Sequence, residues 1–296
     1  MSNLKFSVGL VVTNFNNSNY TEALILSSLK CECIDKVKIV VVDNDSEYLD
    51  RERIIALKES FPFVDFILNS SNLGYFPGLN VGMQHLKVKY PDINYVVVGN
   101  NDLEFTPDFF SKLMGVGKDV YWTLPVISPD IVTLDGVHQN PHVISDVSEF
   151  RKLIWQFYYS NYYLSCVILK IASLTKKITS RRDYLKHEEP LLISQGYGAC
   201  YILTPVFFEY FTHLWAPTFL MGEEFFIRLQ LESKGFHIYY DPRFVVKHHD
   251  HATIGKLPTR KLWEISKKSH DLMKRYSPTI FFKKKPEKQY RGEADT

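Results

Sequence analysis

The sequence predicts an α/β fold: a mostly parallel, twisted sheet flanked by helices, followed by a helical C-terminal extension. Three observations carry this. Val-rich apolar runs recur between helix-length segments, and strands buried on both faces have that composition. Two of these runs, Val37–Val42 and Tyr95–Val98, end directly in polar, carboxylate-bearing turns. Hydrophobic residues make up 45% of the chain and charged residues 23%, ordinary proportions for a globular protein. A length of 296 residues suffices for one large domain or two small ones.

Phe6–Thr13 is expected to be the first strand, opening into the polar loop Asn14-Phe15-Asn16-Asn17, with a helix over about Thr21–Leu29 behind it. Val37–Val42 is the second strand and runs into Asp43-Asn44-Asp45-Ser46. A helix over Arg51–Ser60 and a short strand Val64–Leu68 come next. Asn69–Gly82 reads as a loop with three glycines leading into a helix toward Lys89. The run Tyr95–Val98 stops on Gly99 and delivers Asn100, Asn101 and Asp102. Right-handed crossovers between such strands give a parallel sheet whose ligands sit beyond the carboxyl ends of the strands. Asp102 is a hard oxygen donor suited to Mg²⁺ or Mn²⁺ held together with substrate phosphates. An Asx turn capping the helix after Pro107 is its bland alternative.

The second half is less regular. Val120–Val126 is expected to be a strand, with Pro125, Pro129 and Pro141 interrupting regular structure from there on. Ser194–Leu203 reads as a glycine-rich loop entering a strand. Phe219–Leu231 opens a helix on Glu223-Glu224, and Gly235 closes it. Phe236–Tyr240 is a further strand, Val245-Val246 leads into His248-His249-Asp250-His251, and Arg260–Tyr276 is a helix. Beyond Pro278 the composition turns to Lys and Pro.

Several classes are disfavoured. There is no GxGxxG or GxxxxGK[ST] in the first half, against a dinucleotide fold and a P-loop. The net charge of +2 does not point to a nucleic-acid partner. Cys31, Cys33, Cys166 and Cys200 show neither CxxC pairing nor zinc spacing, so a reduced, cytoplasmic setting is expected. Met1–Lys5 has no apolar leader character, so export through a cleaved leader is not expected.

Four motifs occur in a fixed order: Val41-Val42-Asp43-Asn44-Asp45-Ser46; Asn72-Leu73-Gly74 to Asn80-Val81-Gly82; Asn100-Asn101-Asp102; and Gly222-Glu223-Glu224, with Tyr240-Asp241-Pro242 to His248 behind it. Together, over about Val8–Gly255, they resemble the inverting family-2 glycosyltransferases of the GT-A fold. The likeness is strongest to bacterial enzymes that build O-antigen and capsular polysaccharide. The resemblance implies transfer of a hexose or deoxyhexose from a nucleoside-diphosphate sugar to a glycan acceptor, lipid-linked at the inner face of the cell membrane. It implies a GT-A domain over 1–255, with a nucleotide half to 114 and an acceptor half after it, and an extension over 256–296. Asn14, Asp43, Asp45, Asn72, Gly74, Asn80, Asn100 and Asn101 are then expected at the nucleotide sugar, and Asp102 with His248 at Mn²⁺ or Mg²⁺.

Transfer from a nucleoside diphosphate needs charge stabilisation at the departing diphosphate and a base for the acceptor hydroxyl. Glu223 and Glu224 diverge by about 100° at a helix start, so only one faces a given atom. By position in the motif Glu224 is the expected base and Glu223 the runner-up. The pair departs from the Glu-Asp of many members. A glycosidase also uses two carboxylates, but the nucleotide-type half disfavours it. The rival from another class is a sugar-nucleotide-binding subunit of the same fold without turnover.

Trp155–Leu174 is long and apolar, but Gln156, Ser160, Asn161 and Lys170 argue against a membrane span. Tyr and Trp beside Lys176, Lys177, Arg181 and Arg182 suit an anionic membrane surface; core packing and a subunit contact are the alternatives.

Overall fold

Val8–Asn14 (β1) and Val37–Asp43 (β2) pair in parallel, from Val8 opposite Val37 to Asn14 opposite Asp43. In the computed structural model, which describes residues 7–116, 123–145, 147–174, 183–249 and 259–277, these two strands are the middle of the first half. Asp65–Leu68 (β3) adds to β2 and Tyr95–Asn100 (β4) to β1, both parallel, giving the order β3-β2-β1-β4. Helices Ser18–Ser28 (α1), Tyr48–Ser60 (α2) and Tyr75–Lys89 (α3) supply the crossovers. Alternation along the strands splits the interior in two. Leu10, Val12, Ile39, Val41 and Val97 enter a core with α1 and α2. Val11, Val40, Val42, Val96 and Val98 enter another with α3.

Beyond β4 the sheet becomes mixed. The short strand Leu103–Phe105 (β5) and the helix Phe109–Gly115 (α4) come at once. Val126–Thr133 (β6), Leu191–Ile193 (β7), Cys200–Leu203 (β8) and Ile238–His248 (β9) complete nine strands in the order β3-β2-β1-β4-β8-β6-β9-β5, with β7 also on β9. β8 is antiparallel to β4 and β6, while β6 and β9 run parallel. The parallel part expected from sequence is therefore the first half. β6 continues through Pro129 instead of breaking there, because the register against β9 shifts between Pro129 and Asp130 and relieves the ladder. The expected strand beginning at Val120 lies partly outside the described residues.

The remaining helices are Glu149–Ser160 (α5), Tyr162–Leu174 (α6), Pro205–Tyr210 (α7), Glu223–Glu232 (α8) and Thr259–Tyr276 (α9). α5 and α6 form a helical hairpin. α9 packs beneath the turn before α8: Ser269 Oγ donates to the Leu220 carbonyl at 2.7 Å, and Tyr276 packs edge-on against Trp215 and Phe226. It also reaches the hairpin, where Trp263 Nε1 donates to the Tyr158 carbonyl and His270 stacks on Tyr159.

The glycine-rich loop Asn69–Gly82 is shorter than its composition suggests, since α3 already begins at Tyr75. Gly78 and Gly82 lie inside that helix for reasons of space. A Cβ on Gly82 would sit 2.3 Å from Val11 Cγ1 and 3.0 Å from Val42 Cγ2. Gly82→Ala is therefore expected to destabilise the fold by about 1–3 kcal/mol through overpacking, despite alanine's better helix propensity. Chemical denaturation measures this directly. A neutral or stabilising result would mean that α3 does not lie against the sheet as closely as described.

Candidate active site

Three strand ends meet at the carboxyl edge of the parallel half. Asn14 closes β1, Asp43 closes β2, and Asn101 and Asp102 come directly after β4. Asn14 Nδ2 donates to Asp43 Oδ1 at 2.8 Å and to Asp50 Oδ2 at 2.9 Å. Its Oδ1 accepts from Asn101 Nδ2 at 3.1 Å. Asn101 also donates to Asn17 Oδ1 and Thr21 Oγ1, both at 2.8 Å. Asp43 is fully buried and accepts from Ser46 Oγ at 2.6 Å. Asn14, Asp43 and Asn101 thus form one buried hydrogen-bonded frame in which their side chains bind one another. Asp45 stands outside it, exposed at φ 63°, a left-handed position that Asp tolerates, and pairs with Arg51 at 3.2 Å.

Asp50, which no sequence motif marks, completes the frame. It accepts from Ser18 Oγ at 2.6 Å and Ser18 N at 2.8 Å, at the start of α1. Burial pushes its carboxyl up, but the bonds from Ser18 and Asn14 outweigh this and hold it below its ordinary value.

Asn72, Gly74 and Asn80 separate. Asn72 Oδ1 accepts from Gly74 N at 3.0 Å, an Asx turn at the entry to α3. Gly74 takes φ 91°, and a Cβ there would lie 2.3 Å from the Phe219 carbonyl oxygen, so only glycine fits. Asn80 does not join the frame: its amide bonds the backbone of Leu214 in both directions, at 2.8 and 2.9 Å, and ties α3 to the chain before α8.

Asp102 and His248 come together across the β5–β9 ladder, in which Leu103 opposes His248. The Asp102 carbonyl accepts from His249 N at 3.0 Å, locking the two turns. Both side chains are buried, and His248 Nε2 lies 3.2 Å from Asp102 Oδ1 and 3.4 Å from Asn100 Nδ2. His248 Nδ1 lies 2.8 Å from Gln139 Oε1, an acceptor, so Nδ1 carries the proton. In the neutral ring Nε2 then presents a lone pair toward an anionic oxygen. Despite its 3.2 Å approach to Nε2, Asp102 Oδ1 is buried without a hydrogen-bond partner. A buried, orphaned carboxylate oxygen beside an imidazole whose other nitrogen is held by an amide carbonyl is a donor set that fits a divalent cation. His249 turns instead toward Tyr20, ring centroids 5.5 Å apart. His251 lies outside the described residues.

The acidic pair approaches from the other side. Met221 and Gly222 take φ 70° and 88°, and this left-handed turn sets Glu223 and Glu224 in the first turn of α8. Ser266 Oγ of α9 lies 2.8 Å from Met221 Sδ. Glu224 rests on Gly198, where a Cβ would come within 2.6 Å of its Oε1. The same Gly198 offers its carbonyl to the Tyr75 hydroxyl at 2.9 Å, and the Ala199 carbonyl accepts from Asn100 N. One residue of backbone therefore links the acid pair to the Asn100–Asp102 turn. The Tyr75 hydroxyl is held well above its ordinary pKa, by burial first and then by Cys200, Glu223, Asp102 and Glu224 around it. Glu223 is buried with Oε1 unpartnered, and desolvation, then the neighbouring Glu224, pushes its carboxyl up to about 8. Near neutrality it holds a proton, whereas Glu224 is the member of the pair that reaches solvent.

A second cluster carries no sequence signal, because its members are scattered along the chain. Asp130, His138 and His187 bring one ligand atom each within 4.8 Å of one another, the one such trio among the described residues. His138 Nδ1 is 2.9 Å from both Asp130 oxygens, and its ring stacks on His187 at 3.6 Å. Rings so nearly parallel aim their in-plane lone pairs side by side, so chelation here would need one ring to turn.

An acid–histidine pair and a carboxylate pair, linked through the backbone of Gly198 and Ala199 at the carboxyl edge of a parallel sheet, define an α/β protein with the makings of a ligand site there. The model of the Glycosyl transferase family 2 matches residues 10–159, just over half of the chain, and the chain belongs to that family. Its fold is similar to that of the mannosyltransferase PcManGT from Pyrobaculum calidifontis in complex with GDP-Man and Mn²⁺, at 14% identity and TM-score 0.50, over 86% of this chain and 57% of that one. It is also similar to GalNAc-T7 with UDP, GalNAc and Mn²⁺, at 15% identity and TM-score 0.51, over 88% of this chain and 47% of that one. The chain thus spans about half the length of these structures, and the likeness is one of fold, the GT-A arrangement. No curated protein matches the chain.

The raised carboxyl of Glu223 carries a stability consequence. Between the ordinary carboxylate value of 4.5 and about 8 the folded state holds a proton that the unfolded chain releases. Stability therefore falls as pH rises through that window. Glu223→Gln is expected to remove this fall, raising Tm by a few degrees at pH 8 and leaving it unchanged at pH 4. Thermal melts of both proteins across this range check it; parallel pH curves would show that Glu223 is charged in the folded protein.

Proposed function

We propose that this chain is an inverting glycosyltransferase that moves a hexose or deoxyhexose from a nucleoside-diphosphate sugar to a glycan acceptor. The observation that carries the reading is the orphaned Asp102 Oδ1 beside His248 Nε2, with the acid pair on Gly198 joined to the same turn through Ala199. Asp102 and His248 would hold Mn²⁺ or Mg²⁺, which when bound offsets the charge of the departing diphosphate. Imidazole favours Mn²⁺ of the two. Asn14, Asp43 and Asn101 act as the frame beneath the nucleotide, with Asp45, Asn72 and Asn100 at its rim and Gly74 keeping the chain close to the Phe219 carbonyl.

The acceptor hydroxyl attacks the anomeric carbon as its bond to the diphosphate oxygen breaks, which inverts the centre in a single displacement. Glu224 takes the hydroxyl proton. Glu223, buried and protonated near neutrality, is not available to accept it, and serves to hold the turn that aims its neighbour. The order of motifs supports surface-polysaccharide synthesis of the O-antigen or capsular kind.

The test separates donor binding from chemistry. Asp102→Asn should lose Mn²⁺-dependent binding of nucleotide sugar and with it turnover. Glu224→Gln should keep that binding, measured by calorimetry, while turnover falls by about 10²–10⁴. Glu224→Gln as active as the wild type would move the base elsewhere. Tight donor binding without turnover in any condition would make the protein a binding subunit.

The hairpin supports a membrane-surface acceptor. Of the thirteen residues of α6 only Ser165 is buried, with Tyr163 71%, Ile171 57% and Leu174 81% exposed. An apolar helix left open to solvent is out of place in a free monomer. No helix among the described residues is long and apolar enough to cross a membrane. Lys176, Lys177, Arg181 and Arg182 come after it in the chain, outside the described residues, and add the charge that anionic lipid attracts. Co-sedimentation with phosphatidylserine-containing vesicles is expected, and Val167→Asp with Ile171→Asp should reduce it at least tenfold. Unchanged binding would assign this face to a subunit contact.

A further inference from the structure

A cavity of about 420 Å³ opens between the segment 138–143, helix α5 and the turn Asp183–Lys186. Its size falls within the roughly 300–1,000 Å³ of small-molecule sites. All its walls come from residues 138–197, and the loops that close β1, β2 and β4 contribute none. Trp155, Tyr184 and Tyr197 present aromatic surface, while Gln139, Arg151 and Asp183 present an amide, a guanidinium and a carboxylate. This combination matches a pyranose ring. Such a ring has a face of C–H groups, which an aromatic wall removes from water, and a rim of hydroxyls that need partners once buried.

The cavity adjoins the reacting groups. The Tyr197 ring lies 5.9 Å from that of His248, and Tyr197 directly precedes Gly198, on which Glu224 rests. Gln139 belongs to both places: its carbonyl oxygen lies 2.8 Å from His248 Nδ1, and its side chain lines the cavity. Tyr197 is thus shared by the cavity and the surroundings of His248, while the loops of the nucleotide frame contribute no wall. We propose that this cavity is the acceptor subsite and that it takes a hexopyranose, the terminal residue of a glycan, stacked on Trp155 and Tyr184. The inference rests on the glycosyl-transfer reading for its meaning, but the binding it asserts is measured independently.

Saturation-transfer NMR on the full chain, with the methyl glycosides of glucose, galactose, mannose and rhamnose as probes, tests it. At least one glycoside should receive saturation, undiminished by UDP or GDP with Mn²⁺. Its binding should weaken at least tenfold in Trp155→Ala and in Tyr184→Ala; the second variant alters a surface-exposed ring and keeps the test decisive if the first does not fold. No binding by any glycoside, binding that survives both substitutions, or displacement by nucleotide and Mn²⁺ would each overturn the assignment. Calorimetry of UDP- and GDP-sugars with Mn²⁺ on the same preparation keeps the two readings apart. Donor binding without Trp155-dependent glycoside binding removes the subsite alone. Glycoside binding without donor binding leaves the cavity a sugar site and removes the transferase.

Discussion

The structure turns on one buried contact at the sheet edge, between a carboxylate and an imidazole. Asp102 Oδ1 and His248 Nε2 are 3.2 Å apart, both buried, and Nδ1 on the other side of the ring lies 2.8 Å from Gln139 Oε1. Both groups are taken out of water here, which costs free energy unless their polar atoms find partners. The fold nevertheless invests four strands in it. β4 ends at Asn100, β5 and β9 clamp Asp102 to His248 through ladder bonds, and β6 runs beside β9 as far as His248 itself. Gln139, whose backbone N–H is held by the Ile131 carbonyl of β6, then fixes the tautomer. Such concentration of structure on one contact fits the pre-organisation that the proposed cation site needs.

The first half is legible in the chain because its signals are local. A Val-rich run buried on two faces can only be an interior strand, and the polar residues that end it must lie at the sheet edge. Asp43, Asn101 and Asp102 stand out in this way. What such reading cannot assign is direction. Asn100, Asn101 and Asp102 are consecutive, yet Asn101 turns back into the Asn14 network while Asp102 turns forward to His248. Asn80 fits a motif, but its partner is a backbone 134 residues away. Gln139 and Asp50 matter through contacts separated by 109 and 36 residues, and no local pattern marks them. Gly78 and Gly82 have the look of loop residues because composition records their smallness and not its cause, which is the closeness of α3 to the sheet.

The acid pair shows how far support for a site extends beyond it. Glu223 is buried with an oxygen unpartnered, a costly arrangement that the local turn, itself left-handed at Met221 and Gly222, does not sustain alone. α9 bonds the turn from below through Ser266 and Ser269, and its Tyr276 fills the space beside Trp215 and Phe226. The C-terminal helix, an appendage by sequence alone, is therefore a brace for the turn that carries the acid pair. Strain at Glu223 is tolerated because this packing over-determines its position.

Helix α5 joins the cavity and the exposed apolar surface. Trp155 faces the cavity beside Tyr197, while Phe150 and Phe157 of the same helix remain 70% and 55% exposed. α9 grips this helix near its end through Trp263 and Tyr158, so the hairpin is held against the same element that braces the acid pair. A glycan carried on a lipid presents its two chemistries side by side, a hydroxylated ring and an apolar chain. For an acceptor of that kind, a single helix with a sugar-sized cavity against it and exposed Phe150 and Phe157 would meet both needs. Under the proposed function the apolar surface and the cavity belong to one helix, so an acceptor held by the first would present its sugar to the second.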